Sequence, residues 1–121
     1  MAAGRYDFVI EQGATFSRQI TWKDTTGAAV NLTGYTIAAK VRRKTSDSQP
    51  VIALTCTVTN AANGQFTISL TATQTAGLPV NHGNDGEKLL LPCVYDIEAT
   101  TGSTVYRLLE GVASISPEAT R

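Results

Sequence analysis

Residues 52–70 read IALTCTVTNAANGQFTISL, and the order of apolar and polar side chains in this stretch decides the fold. Apolar residues alternate with threonine or serine on either side of Asn60–Gly64. A period of two residues is typical of β-strands that bury one face. Asn63 and Gly64 are residue types that adopt positive φ in tight hairpin loops. The stretch therefore predicts a β-hairpin whose two strands each have one apolar face and one hydroxyl-rich face.

The same period extends over most of the chain. Alternating segments predict five further strands, near residues 6–11, 16–22, 36–42, 89–97 and 104–115. Thr101-Gly102-Ser103 is a turn sequence, so the last two strands should form a second hairpin. About seven antiparallel strands, each with one apolar face, predict an all-β sandwich that forms a single domain over residues 1–121.

Two segments depart from the alternation. Residues 71–76 begin with a threonine that can cap a helix and are followed by Gly77 and Pro79, so they predict one short helical turn. Gly111 interrupts the alternation of the last strand, which predicts a β-bulge at that position.

The composition agrees with a β-rich chain and disfavours several classes of function. The 121 residues include 18 threonines, a β-branched type that favours strands over helices. Ten basic residues balance ten acidic ones, so the chain is a poor electrostatic match for nucleic acid. The N-terminus has no apolar segment typical of a secretory signal, and no run of about 18 apolar residues predicts a membrane span.

One set of apolar residues occupies the alternate strand positions whose side chains should face the interior; we call these positions the core phase. This predicted core consists of Phe8, Ile20, Trp22, Ile37, Val41, Leu54, Phe66, Ile68, Leu70, Tyr95 and Ile97. Cys56 and Cys93 have the same phase. They could form a disulfide between the sheets or stay as two buried thiols, and the absence of a secretory signal favours thiols.

No arrangement of residues predicts catalysis, a cofactor or a metal. His82 is the only histidine, and it lies in a run of glycine and asparagine that predicts an exposed loop. Asn81, Asn84, Asp85 and Glu87 offer oxygen ligands, but their spacing departs from that of known calcium loops. We therefore expect a protein that is not an enzyme and has no small-molecule substrate.

The charged residues suggest places for contact with a partner. Lys40, Arg42, Arg43 and Lys44 form the only basic cluster, and a period of two would put Lys40, Arg42 and Lys44 on one face. That face is either solvated or a contact for an acidic partner surface. Arg18 has the phase of an apolar face, so it should be paired, near the end of a sheet, or in an interface.

Loops and termini are the other candidates for contact. We include His82 and Asp85 of the loop over residues 81–87, together with the 44–50 loop and the terminal segments Met1–Arg5 and Pro117–Arg121.

Several short motifs together resemble one group of proteins. They are residues 8–16 (FVIEQGATF), 22–24 (WKD) ahead of 30–35 (VNLTGY), 95–98 (YDIE) with 105–111 (VYRLLEG), and the closing 116–121 (SPEATR). The chain resembles small β-sandwich structural proteins of tailed bacteriophages, and it is similar to the N-terminal, virion-anchoring domain of baseplate upper proteins. The resemblance spans nearly the whole chain.

The resemblance implies an immunoglobulin-like sandwich that acts as an assembly module in the virion, after synthesis in the host cytoplasm. Such a module would be present in multiple copies and would contact other virion structural proteins, helping to attach fibres or receptor-binding proteins in the tail or baseplate region. A capsid decoration protein is the first alternative. A carbohydrate-binding sandwich is the second, and it would need Trp22, Tyr35 or Tyr106 as an aromatic platform.

Overall fold

A computed structural model describes residues 4–44, 49–80 and 89–118. Within these residues the chain forms eight strands, one 3₁₀ turn and one short helix. The strands are β1 (Gly4–Arg5), β2 (Phe8–Glu11), β3 (Phe16–Thr21), β4 (Thr36–Arg42), β5 (Ile52–Asn60), β6 (Gln65–Leu70), β7 (Leu91–Thr101) and β8 (Thr104–Ser116). The 3₁₀ turn (Ala61–Asn63) lies between β5 and β6, and α1 (Ala72–Ala76) follows β6. The predicted all-β class and the short helical turn are confirmed.

The strands form one curled sheet in the order β1-β8-β7-β4-β5-β6-β3, with β2 also paired to β8. Both predicted hairpins are present, as the antiparallel pairs β5–β6 and β7–β8. The prediction of about seven antiparallel strands was wrong in one respect, because β1 and β2 run parallel to β8. These pairings join residues about a hundred positions apart, such as Phe8 with Ala113, and a local sequence pattern cannot indicate them.

The sheet curls because β5 pairs with different neighbours along its length. Ile52–Leu54 pair with β4, whereas the following residues to Asn60 pair with β6. Aromatic contacts then connect the two ends of the sheet. The ring of Phe8 on β2 lies 5.0 Å from that of Phe16 on β3 and 4.5 Å from that of Tyr95. The apolar core lies inside this curl.

Most of the predicted core residues are buried, with two exceptions. Ile20 and Ile37 are only partly buried, although both pack against the core. Ile20 lies on β3, at an edge of the sheet, which leaves one side of its side chain uncovered. Cys56 is also partly exposed, whereas Cys93 is buried as expected.

The 3₁₀ turn explains how the first hairpin reverses direction. The side chain of Asn60 accepts a hydrogen bond from the Asn63 N–H, and Gly64 follows at φ 67°. A Cβ at Gly64 would lie 2.6 Å from the carbonyl oxygen of Trp22, so both the backbone angle and the space require glycine here.

The predicted bulge at Gly111 was wrong. The register of the β7–β8 hairpin shifts between Ile97 and Glu98, which pair with Leu109 and Arg107, so the extra residue is Leu108. Gly111 instead allows a close approach of the N-terminal segment, because a Cβ there would lie 2.3 Å from the carbonyl oxygen of Tyr6.

Candidate interaction surfaces

The outer surface of β8, β7 and β4 carries rows of charged side chains, and we call it the charged face. One row crosses four strands in register, from Arg5 through Glu110 and Asp96 to Lys40. Asp96 also pairs with Arg107, at 3.5 Å between Oδ2 and Nε. Both of these side chains are about half exposed, so the pair contributes at most about 1 kcal/mol to stability.

The predicted basic cluster is only partly on this face. Lys40 and Arg42 lie on β4, and Lys40 is opposite Asp96. The strand ends at Arg42, so Arg43 and Lys44 lie in the bend that follows, and the expectation that Lys44 continues the strand face was wrong. The other candidates, His82 and Asp85, lie outside the described residues, as do the oxygen ligands at 81–87.

A shallow groove of about 500 Å³ runs over the charged face. Its lining includes the cations Lys40, Arg42 and Arg107 and the anions Asp96, Glu98 and Glu110. These acidic residues were not predicted to be contact residues, because they lie on β7 and β8 and only the topology of the sheet brings them beside β4. A face with both signs of charge is suited to a protein surface with a complementary pattern, and it is a poor match for a polyanion.

Arg18 lies on β3, the strand that ends the sheet at one side. Its side chain is exposed, its guanidinium carbon lies 4.9 Å from the centre of the Phe16 ring, and Nη1 donates a hydrogen bond of 2.8 Å to the Ser17 carbonyl. The charge is therefore near the end of a sheet, one of the three locations that the sequence allowed.

The outer surface of β3, β6 and β5 has no charged side chain, and we call it the hydroxyl face. Three rows cross the strands in register: Ser17, Ser69 and Thr55; Gln19, Thr67 and Thr57; and Thr21, Gln65 and Asn60. Arg18 is the only charged residue in these three strands, and it lies on the opposite side of β3 from these rows.

Three aromatic residues that were separate in the sequence form one cluster. The Trp22 ring lies 5.3 Å from that of Tyr35 and 5.8 Å from that of Tyr106, and the two tyrosine rings are 6.3 Å apart. Tyr106 is 38% exposed, whereas Trp22 is only 6% exposed. The indole Nε1 of Trp22 is buried and has no hydrogen-bond partner among the described residues, which costs roughly 1–3 kcal/mol.

The two cysteines are free thiols. Leu54 pairs with Ala39 and Val94 pairs with Arg42, so Cys56 and Cys93 lie toward opposite ends of β4. A disulfide needs Cα atoms within roughly 7 Å, which these positions do not provide. Burial raises the pKa of the Cys56 thiol to about 11 and also raises that of Cys93, so both stay protonated near neutral pH.

Within the described ranges, no group of three or more histidine, cysteine or acidic side chains is placed to hold a metal ion. No helix in that part of the chain is long and apolar enough to cross a membrane. No protein-family model matches the chain, and no curated protein matches it.

Proposed function

We propose that this chain is a structural virion protein of a tailed bacteriophage, a non-enzymatic assembly module of the tail or baseplate region that helps attach fibres or receptor-binding proteins. The observation that carries the proposal is the free edge of β3. The strand has six residues and pairs only with β6, so one row of backbone N–H and C=O groups has no strand beside it among the described residues. Such an edge favours pairing with a strand of a neighbouring protein.

The packing of the motif residues also supports this proposal. Phe8 and Phe16 of the first motif contact each other and bring the two ends of the curl together. Trp22, Tyr35 and Tyr106, from three further motifs, form the aromatic cluster. The motifs that resemble phage proteins therefore supply the contacts that close the curl, and we interpret the fold as a curled variant of the immunoglobulin-like sandwich.

Purified particles test the proposal. We expect the protein in virions from a phage lysate after density-gradient purification, in several copies per particle, and at the tail or baseplate in a reconstruction. Density on the capsid surface would instead establish the decoration role. Absence from purified particles would contradict both.

The aromatic cluster favours a second candidate function, carbohydrate binding. Tyr106 presents an exposed ring beside the partly buried Tyr35, and stacking on aromatic rings is a common way to hold a sugar. A glycan array followed by titration tests it. Binding that is lost in Tyr106→Ala but kept in Val105→Ala, a change at the adjacent exposed residue, would support this function. An array without any positive glycan would exclude it.

A further inference from the structure

We infer that β3 binds an extended, acidic polypeptide segment by strand addition, with Arg18 opposite a carboxylate of that segment. The inference deepens the proposed assembly role and depends on it only for the existence of a partner. It follows from the backbone geometry of the edge, the isolation of one charge and the shape of the neighbouring surface.

The direction of the backbone groups shows which residues would pair with an added strand. The Trp22 N–H donates to the Gly64 carbonyl at 2.8 Å, on the β6 side. In an antiparallel ladder, successive residues direct their N–H and C=O groups to opposite sides of the strand. Ile20 and Arg18, at two-residue steps from Trp22, therefore also direct their backbone groups toward β6. Ser17, Gln19 and Thr21 therefore direct theirs toward the free edge, and all three residues are exposed.

Arg18 covers one of these free groups. Its Nη1 donates to the Ser17 carbonyl, an acceptor that a new strand would need. The side chain thus occupies the start of the edge in the unbound protein. A charged side chain on an edge strand is also a known protection against unselective strand pairing. Only a segment that offers the guanidinium a better acceptor should displace it.

The charges of this region define that acceptor. No acidic residue occurs in β3, β5 or β6, and Arg18 makes no ion pair with any described residue. Lys23, two residues beyond β3, likewise has no ion-pair partner among them. Asp24 is engaged in its own turn, where Oδ1 accepts hydrogen bonds from Thr26 and Ala28. No carboxylate among the described residues is therefore paired with Arg18. A carboxylate supplied by a partner segment would bind the guanidinium and free the Ser17 carbonyl for backbone pairing.

A groove beside the other end of β3 places a second requirement on the sequence of the partner segment. It has a volume of about 350 Å³, and Ile20, Trp22, Leu108 and Leu109 form the apolar part of its lining. The rest of the lining is Gly4 and the polar residues Thr21, Lys23, Asp24 and Thr25. A side chain opposite Ile20 would point into it, since residues directly opposite each other share a face. In an antiparallel segment, that side chain stands two positions before the one opposite Arg18. The partner therefore carries an apolar residue two positions before an aspartate or glutamate.

Synthetic peptides test this requirement directly. The probe is a ten-residue peptide of alternating threonine and valine, with leucine two positions before a central glutamate; the matched peptide has glutamine in place of glutamate. In an NMR titration of the full chain, we expect the glutamate peptide to bind at least about tenfold more tightly. It should also slow hydrogen exchange of the Ser17, Gln19 and Thr21 amides at least about tenfold. Equal affinity for the two peptides, or protection elsewhere on the molecule, would overturn the inference.

Two variants separate the contributions of charge and backbone. Arg18→Glu should reverse the preference, so that a peptide with lysine in place of glutamate binds better; Lys40→Gln, which removes a cation from the charged face, should change nothing. Gln19→Pro removes a free-edge N–H without removing a β3–β6 hydrogen bond, and should weaken binding at least about tenfold. If Gln19→Pro does not fold, the charge reversal decides alone, and an unchanged preference in Arg18→Glu contradicts the inference.

The result of the peptide titration is independent of whether the protein is found in purified virions. A protein that is present in virions but shows no selective peptide binding keeps its proposed function and loses this inference. A protein that binds the glutamate peptide selectively but is absent from particles keeps the inference and loses the virion role. Self-pairing of the unmodified chain through β3 would identify a second copy as the occupant and would also overturn it.

Discussion

The edge formed by β1 and β2 consists of strands of two and four residues, whereas the edge formed by β3 is one strand of six residues. Charges lie all along the first edge, at Arg5, Asp7 and Glu11. The Asp7 carboxylate accepts a hydrogen bond from the Val112 N–H, which fixes the short strands to β8. Short length and dense charge are two common ways to prevent strand pairing at an edge.

The β3 edge has neither of these protections. It is continuous, its outer face has only hydroxyl and amide side chains, and its single charge is Arg18. The comparison indicates that short strands and several charges protect the first edge, whereas one exposed side chain, Arg18, covers part of the second. Substitutions in either edge, or in the connection between them, should distinguish these two kinds of protection by their effects on stability.

Gly111→Ala should have the largest effect, because it separates β1 and β2 from β8. The new Cβ would lie 2.3 Å from the Tyr6 carbonyl oxygen and 2.6 Å from the Asp7 carboxylate. We expect a loss of about 3 kcal/mol in the free energy of unfolding, measured by urea denaturation. Gly77→Ala is the matched control: its nearest atom is 3.7 Å away, so it should change stability by less than about 0.5 kcal/mol. Equal effects of the two changes would refute the close approach.

Thr75→Val tests the connection between the two edges. Thr75 is the buried polar residue of α1, and its Oγ1 accepts a hydrogen bond from the Gly13 N–H at 3.0 Å and donates to the Ala14 carbonyl at 2.8 Å. These residues join β2 to β3. Valine has a similar shape but leaves both backbone groups unpaired, so we expect a loss of about 2 kcal/mol in urea denaturation. Thr73→Val, at an exposed position of the same helix, should be nearly neutral.

The sequence predicted those parts of the molecule that depend on neighbouring residues. Alternation located the strands, and the turn residues located both hairpins, because strand period and turn conformation are local properties. The edges were not predictable in this way. Parallel pairing of β2 with β8, the acidic neighbours of Lys40 and the convergence of Trp22 with Tyr106 all depend on which distant strands meet. The position of Arg18 among apolar residues did indicate an exceptional site and allowed the end of a sheet as one of three locations, but it did not select among the three.

Tyr95→Phe should weaken the first edge more mildly. The phenol of Tyr95 donates a hydrogen bond to the Tyr6 carbonyl, so its loss should cost about 1 kcal/mol at pH 7. Burial raises the pKa of Tyr95 above its usual 10, and the Asp7 carboxylate raises it further. The folded state therefore holds this proton more tightly than the unfolded state, and stability should fall as the pH rises above about 10.

Urea midpoints between pH 8 and 11.5 measure this dependence. The decline above pH 10 should be shallower in Tyr95→Phe than in the unmodified chain. The decline that begins near pH 9 should remain in both, because the Cys56 thiol titrates near 9 when unfolded and its pKa rises to about 11 in the fold. Identical slopes above pH 10 would show that Tyr95 does not contribute.

Arg18→Ile should have the smallest effect on stability and the clearest effect on association. The side chain is exposed and its hydrogen bond to Ser17 is local, so the free energy of unfolding should change by less than about 0.5 kcal/mol. Isoleucine cannot cover the Ser17 carbonyl, and it completes an apolar row with Phe16 and Ile20 along an unpaired strand. We therefore expect concentration-dependent self-association of this variant in sedimentation velocity, under conditions where the unmodified chain is monomeric.

Val9→Arg, which adds a charge to the already protected first edge, should leave the association state unchanged. If Arg18→Ile remains monomeric at high concentration, β3 is closed by something other than Arg18, and the distinction between the two edges fails.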